Sequence, residues 1–141
     1  MDKKIILIAG LALLLQNSFA ETCPSVDDIK NHRSLTGWKL YDSEDNTPLA
    51  SSRMTQFKKN IDQFALAEWS IQEQKKSGTV HCYYQDSNGS NLEAYLAKEN
   101  FIPVDSNQYW YQVSGFMHCA AGVDKCEFKA DLSLKNQLAK K

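Results

Sequence analysis

Two runs of alternating apolar and polar residues flank an Asn-Gly dipeptide in "TVHCYYQDSNGSNLEAYLAKE", residues 79 to 99. Asn-Gly between such runs is a hairpin signal, and the loop length decides which side chains share a face. A two-residue loop at Asn88-Gly89 pairs Cys82 with Tyr95 and His81 with Leu96, which mixes apolar and polar residues on both faces. A three-residue loop, Ser87-Asn88-Gly89 with Gly89 in a left-handed bulge position, separates them. Val80, Cys82 and Tyr84 then share one face with Leu92, Ala94 and Leu96. His81, Tyr83 and Gln85 share the other with Asn91, Glu93 and Tyr95. A slip of one residue exchanges core and solvent along the whole strand, so the bulged hairpin is the expected form.

Alternation recurs near the C-terminus. Tyr109, Tyr111, Val113, Met117 and Cys119 alternate with Trp110, Gln112, Ser114, Phe116 and His118, and the first set is read as inward. In "CEFKADL" the inward residues are Cys126, Phe128, Ala130 and Leu132, and Glu127, Lys129 and Asp131 face water. Toward the N-terminus, "PSVDDIKN" has Ser25 as a helix cap with Asp28 three residues on, which predicts a short helix with Val26 and Ile29 inward. "GWKLY" reads as a strand and "SEDNTPLASS" as a polar loop broken by Pro48. From Phe57 to Gln74 the pattern fits either period. Ile61, Phe64, Ala65 and Trp69 lie on one helical face, and Ala65, Ala67, Trp69 and Ile71 on one strand face. A strand over about 64 to 72 is favoured because "KKSG" then leads directly into the hairpin. The expected fold is α+β, a mainly antiparallel sheet with a short N-terminal helix and two disulfides.

The first twenty residues alter this picture. Lys3 and Lys4 precede an apolar run from Ile5 to Leu15, with small residues Ser18 and Ala20 before a cut, which is the pattern of a signal peptide over 1–20. The run is shorter than the roughly 20 residues a spanning helix needs. Cys23 lacks the small residue that precedes a lipidated cysteine, so no membrane anchor is expected. Residues 21–141 then form a single small domain with a frayed tail from about 132 to 141, placed in the periplasm or secreted. Within 21–141 there are 14 basic and 16 acidic side chains without long runs. No basic stripe exists to hold phosphates, so nucleic acid is not an expected partner.

Export bears on the cysteines. Cys23, Cys82, Cys119 and Cys126 are an even set, and an oxidising compartment favours two bridges. Of the three possible pairings, Cys119 with Cys126 and Cys23 with Cys82 is preferred. His81-Cys82 and His118-Cys119 contain zinc-ligand residue types, but neighbours on a strand point to opposite faces and cannot easily reach one ion. No metal and no cofactor are expected.

Candidate chemistry is sparse. The paired cysteines offer no thiolate nucleophile, and the chain has no GxSxG elbow, HExxH helix or phosphate-binding glycine loop. An enzyme is therefore not expected. The outward set His81, Tyr83, Tyr95, Trp110, Phe116 and His118 exceeds what core building needs. It is either a second core under a covering segment or a contact surface, for which exposed Tyr and Trp supply rigid area with polar tips. The candidate binding residues are Tyr83, Tyr95, Trp110, His81 and His118.

"TCPSVDDIK", a tryptophan strand, "FALAEWS" leading to "VHCYYQ", and a C-x6-C pair ending in "CEF" follow in that order. This arrangement resembles small exported proteins of Gram-negative bacteria grouped as a domain of unknown function, which brings no catalytic residues to carry over. The "CYY" strand is also similar to periplasmic lysozyme inhibitors, although the loop such inhibitors insert into an enzyme cleft is not evident. The expected function is non-catalytic binding of an exported or host protein or a sugar polymer, with inhibition of a secreted or periplasmic enzyme such as lysozyme as the alternative.

Overall fold

A computed structural model describes residues 19–72 and 77–132. The signal-peptide pattern falls mostly on residues 1–18, and the proposed tail mostly on 133–141, outside the described residues. Ser25 caps α1 (Val26–Lys30) by accepting a hydrogen bond from Asp28 N at 3.1 Å, and Ile29 is buried as the capping pattern predicts. β1 (Lys39–Asp42) follows, and then α2 (Ser51–Asn60), where a polar loop and an undecided stretch were expected. Only Met54 and Phe57 mark its apolar side, and its N-cap, Ala50, has no capping side chain. Tertiary contacts hold it: Phe57 packs edge-on against Tyr84, and Arg53 forms an ion pair with buried Asp42 of β1.

The chain continues as β2 (Gln63–Gln72), β3 (Ser77–Gln85), β4 (Asn91–Glu99), β5 (Phe101–Pro103), β6 (Tyr111–Val113), β7 (Phe116–Cys119) and β8 (Phe128–Ala130). Six strands form an antiparallel sheet in the order β1-β4-β3-β2-β7-β6, and β5 pairs with β8 in a two-stranded sheet. The fold is thus the expected α+β arrangement, with a second helix beyond the one foreseen.

The β3–β4 turn is the three-residue form. Asp86 N donates to Ser90 O, Gly89 N donates to Asp86 O, and Gly89 has φ 78°. Gln85 lies opposite Asn91, but a bulge then displaces the register by two residues, so that Tyr83 faces Tyr95 and Cys82 faces Leu96. A shift of two preserves the side-chain faces. Val80, Cys82, Tyr84, Ala94 and Leu96 are accordingly all buried on the inner face.

That face meets α1, α2 and the small sheet in one core. Phe101 and Phe128 meet edge-on at 5.5 Å, and Trp38 meets Phe128 at 6.0 Å. Tyr84 donates its hydroxyl to Pro24 O at 2.6 Å, and burial of the phenol raises its pKa. Both bridges form in the preferred pairing, Cys23–Cys82 and Cys119–Cys126, and all four cysteines are buried. Each bridge ties the six-stranded sheet to a segment outside it, the first to the chain ahead of α1 and the second to the chain ahead of β8. Among the described residues no helix is long and apolar enough to cross a membrane.

The C-terminal alternation needs correction. Residues 109–119 contain a hairpin, turned at Ser114 (φ 45°) and Gly115 (φ 86°), in which Tyr111 faces His118 and Val113 faces Phe116. The turn inverts the phase of everything before it, so Tyr111 and Val113 join the outer face and Trp110 turns inward. Trp110 is 8% exposed, and its indole N–H donates to Glu127 O at 2.8 Å. It belongs to the core, not to an exposed aromatic strip.

Candidate functional site

The outer face of the six-stranded sheet is built from two rows that cross neighbouring strands. One row runs Tyr41, Tyr95, Tyr83 and Leu66; the other runs Lys39, Ala97, His81, Glu68, His118 and Tyr111. Both rows face away from the core because their residues alternate with neighbours packed into it: partly buried Leu40 precedes Tyr41, buried Cys82 separates His81 from Tyr83, and buried Ala67 precedes Glu68.

The rings make nearly continuous contact. Tyr41 stacks on Tyr95 at 5.7 Å, Tyr95 meets Tyr83 at 5.5 Å, and His81 lies 4.6 Å from Tyr95. Beyond Glu68, His118 contacts both Tyr111 and Phe116. Glu68 links the two groups, with His118 Nε2 at 2.9 Å from Oε2 and His81 Nδ1 at 3.7 Å from Oε1. The Tyr83 hydroxyl donates to Oε1 at 3.4 Å. Three of the five candidate binding residues, His81, Tyr83 and Tyr95, therefore come together on β3 and β4. His118 joins them only through Glu68, and Trp110 does not.

Glu68 and Tyr41 were not among the residues singled out from sequence. Alternation within "FALAEWS" places Glu68 opposite the apolar Ala67 and Trp69, but its histidine partners depend on the registers of three separate strands. Tyr41 is legible as an outward residue of "GWKLY", though β1 gives no sign that its neighbour is β4.

Electrostatics follow from burial: His81 and Tyr83 are half-buried, and Tyr95, packed between the Tyr41, His81 and Tyr83 rings, is only 5% exposed. Burial disfavours the imidazolium of His81 and lowers its pKa, with Glu68 opposing that shift; burial likewise raises the pKa of Tyr83 and of Tyr95. Because folding favours neutral His81, its contribution to stability is complete above the ordinary imidazole value of 6.5 and declines as pH falls from there toward the folded pKa. Melting temperature should therefore fall as the buffer is taken from about pH 7.5 to about pH 5.5, and His81→Gln should flatten part of that decline. An equal slope in the variant would refute this account. Among the described residues no group of three His, Cys, Asp or Glu side chains is arranged to hold a metal ion.

Beside the tyrosines the face dips into a groove of about 580 Å³, lined in part by Tyr41, Asn46, Thr79, His81 and Tyr95. Tyr95 donates its hydroxyl to Asn46 Oδ1 at 2.9 Å, which fixes one wall. Thr79 is buried in the lining, and its hydroxyl has no hydrogen-bond partner. The groove thus combines ring surface, an amide and an imidazole, a set suited to holding a hydroxyl-rich molecule by stacking and hydrogen bonds.

A family model described as "Protein of unknown function (DUF3757)" matches residues 17–129. No curated protein and no solved structure matches the chain at a significant level.

Proposed function

The chain belongs to this family of proteins of unknown function, and, since membership carries no activity with it, we propose from the sheet face that the protein is an exported, non-catalytic binding module for a sugar polymer. One observation carries the reading: the Tyr41–Tyr95 stack walls a groove whose lining also holds the Asn46 amide and the His81 imidazole. Sugar rings offer apolar C–H faces to aromatic side chains and hydroxyls to polar ones, so both features are used by one ligand. His81 and Glu68 extend the polar lining toward Tyr83. Export is supported by the N-terminal pattern and by two disulfides, which persist in oxidising compartments.

The test is calorimetric titration of the oxidised protein with soluble cell-envelope oligosaccharides, repeated with Tyr83→Ala and Tyr41→Ala. Each substitution is expected to weaken binding by more than about 1 kcal/mol while the far-ultraviolet circular dichroism is unchanged. If the variants bind as wild type does, or lose affinity only in proportion to lost fold, the face is not the site. Capture of an envelope or host protein in place of any glycan would assign the same face to a protein partner and overturn the sugar reading.

A further inference from the structure

On the opposite side of the sheet, behind edge strand β1, a second cavity of about 370 Å³ opens between α1, α2 and β1. Ile29, Leu35, Trp38, Leu40, Met54 and Leu96 form most of its wall. Four of these, Leu35, Trp38, Leu40 and Met54, are only partly buried although they pack against the core, so apolar surface stays open to the cavity. The volume is at the small end of the range for ligand pockets, about 300 to 1,000 Å³, and the lining is apolar enough to favour a hydrocarbon group.

Charge selects the rest of the occupant. The charged residues of the lining are two lysines, Lys39 on β1 and Lys58 on α2, and no carboxylate accompanies them. Lys39 is exposed and belongs to the outward row of β1, so the cation on the cavity side is Lys58, half-buried on α2. The Lys58 ammonium stands 2.9 Å from Nδ1 of His32, an imidazole that accepts rather than neutralises it. The cavity therefore presents an apolar wall beside a cation that no acidic lining residue offsets, which complements a single-chain amphiphile with an anionic head.

We propose that this cavity binds a free medium-chain fatty acid, with the alkyl chain against Leu35, Leu40, Met54 and Leu96 and the carboxylate at Lys58. The apolar wall lies on the core side of the sheet, away from the tyrosine face, although Lys39 and Tyr41 of edge strand β1 border both openings, and neither reading depends on the other. It requires no rearrangement of the core, since the wall residues already border open space.

The probe is sodium decanoate, titrated into the oxidised protein below its micellar concentration and followed by calorimetry, with octanoate, decanol and decyltrimethylammonium beside it. One equivalent of decanoate should bind saturably, about tenfold more tightly than octanoate for the two extra methylenes. Decyltrimethylammonium should bind at least about tenfold more weakly, since its cationic head meets Lys58 with no carboxylate in the lining. Lys58→Gln should weaken decanoate about threefold and leave decanol unchanged. Met54→Trp, which fills the cavity, should abolish binding of both, and Leu35→Trp is the substitute where the first does not fold. Tyr83→Ala should leave decanoate binding as it was. Non-saturable uptake, equal affinity for the cationic amphiphile, or survival of binding in a folded tryptophan variant would each overturn the proposal. Binding only to vesicles that carry the acyl chain in a phospholipid would overturn it too, since the site would then be a membrane contact.

Discussion

Gly78→Ala is expected to cost the protein about 3 to 5 kcal/mol, a large fraction of an ordinary domain's stability. Gly78 is buried in β3 opposite Ile71, and the indole of Trp69 lies across its backbone. The Trp69 N–H reaches past it to donate to Phe101 O at 2.7 Å, joining the six-stranded sheet to the start of β5. A methyl group here would overlap Trp69 Nε1 and stand 2.6 Å from Phe101 O. The backbone oxygen cannot move freely, because Asn100 N donates to Gly78 O at 2.8 Å and holds the same corner. The indole must therefore swing away, which leaves Phe101 O without its donor and opens a void where the ring was. Chemical denaturation followed by tryptophan fluorescence would measure the loss and also report the displaced ring. A loss below about 1 kcal/mol would mean that the corner yields without breaking the bond.

The second large effect is expected from the longer bridge. Cys23 and Cys82 are 59 residues apart, and opening a loop of that size releases about 4 kcal/mol of unfolded-chain entropy in the loop-closure account. Cys119 and Cys126 are separated by 7 residues, for which the same relation gives about 2.5 kcal/mol. The Cys23→Ala/Cys82→Ala protein should consequently melt on the order of 15 °C below wild type, and further below it than Cys119→Ala/Cys126→Ala. Both sulfurs of the longer bridge are buried beside Tyr84, whose hydroxyl holds Pro24 next to Cys23, so losing the bond also loosens the entry to α1. Calorimetry of the two double variants checks the order. The reverse order would show that the residues ahead of α1 are held chiefly by packing.

How far the fold can be read from the chain depends on whether the deciding contacts are local. The β3–β4 hairpin was readable because Asn88-Gly89 names its turn and a one-residue slip would bury His81 and expose Cys82. The bulge near Tyr83 was not, yet its two-residue shift left the faces intact. Ser114-Gly115 is a weaker turn signal of the same kind, and reading residues 109–119 as one strand sent Trp110 to the wrong side. α2 was invisible for a different reason. With two apolar residues and no capping side chain, it owes its existence to Tyr84 and Asp42, which lie outside its own segment. For the candidate site, alternation located His81, Tyr83 and Tyr95 on one face. Glu68 joins His81 to His118 across three strands distant in sequence, and no local pattern records such a meeting.

The pairing of the cysteines has a consequence for how the protein is made. Each bridge joins cysteines that are consecutive along the chain, Cys23 to Cys82 and Cys119 to Cys126. The other two pairings of four cysteines both require a bond that skips over at least one. A chain that meets its oxidant N-terminus first, and links each newly arrived thiol to the one already waiting, therefore makes both native bonds in order of appearance. No wrong bridge has to be broken by thiol exchange, so maturation should proceed without a disulfide isomerase even where the oxidase is indiscriminate.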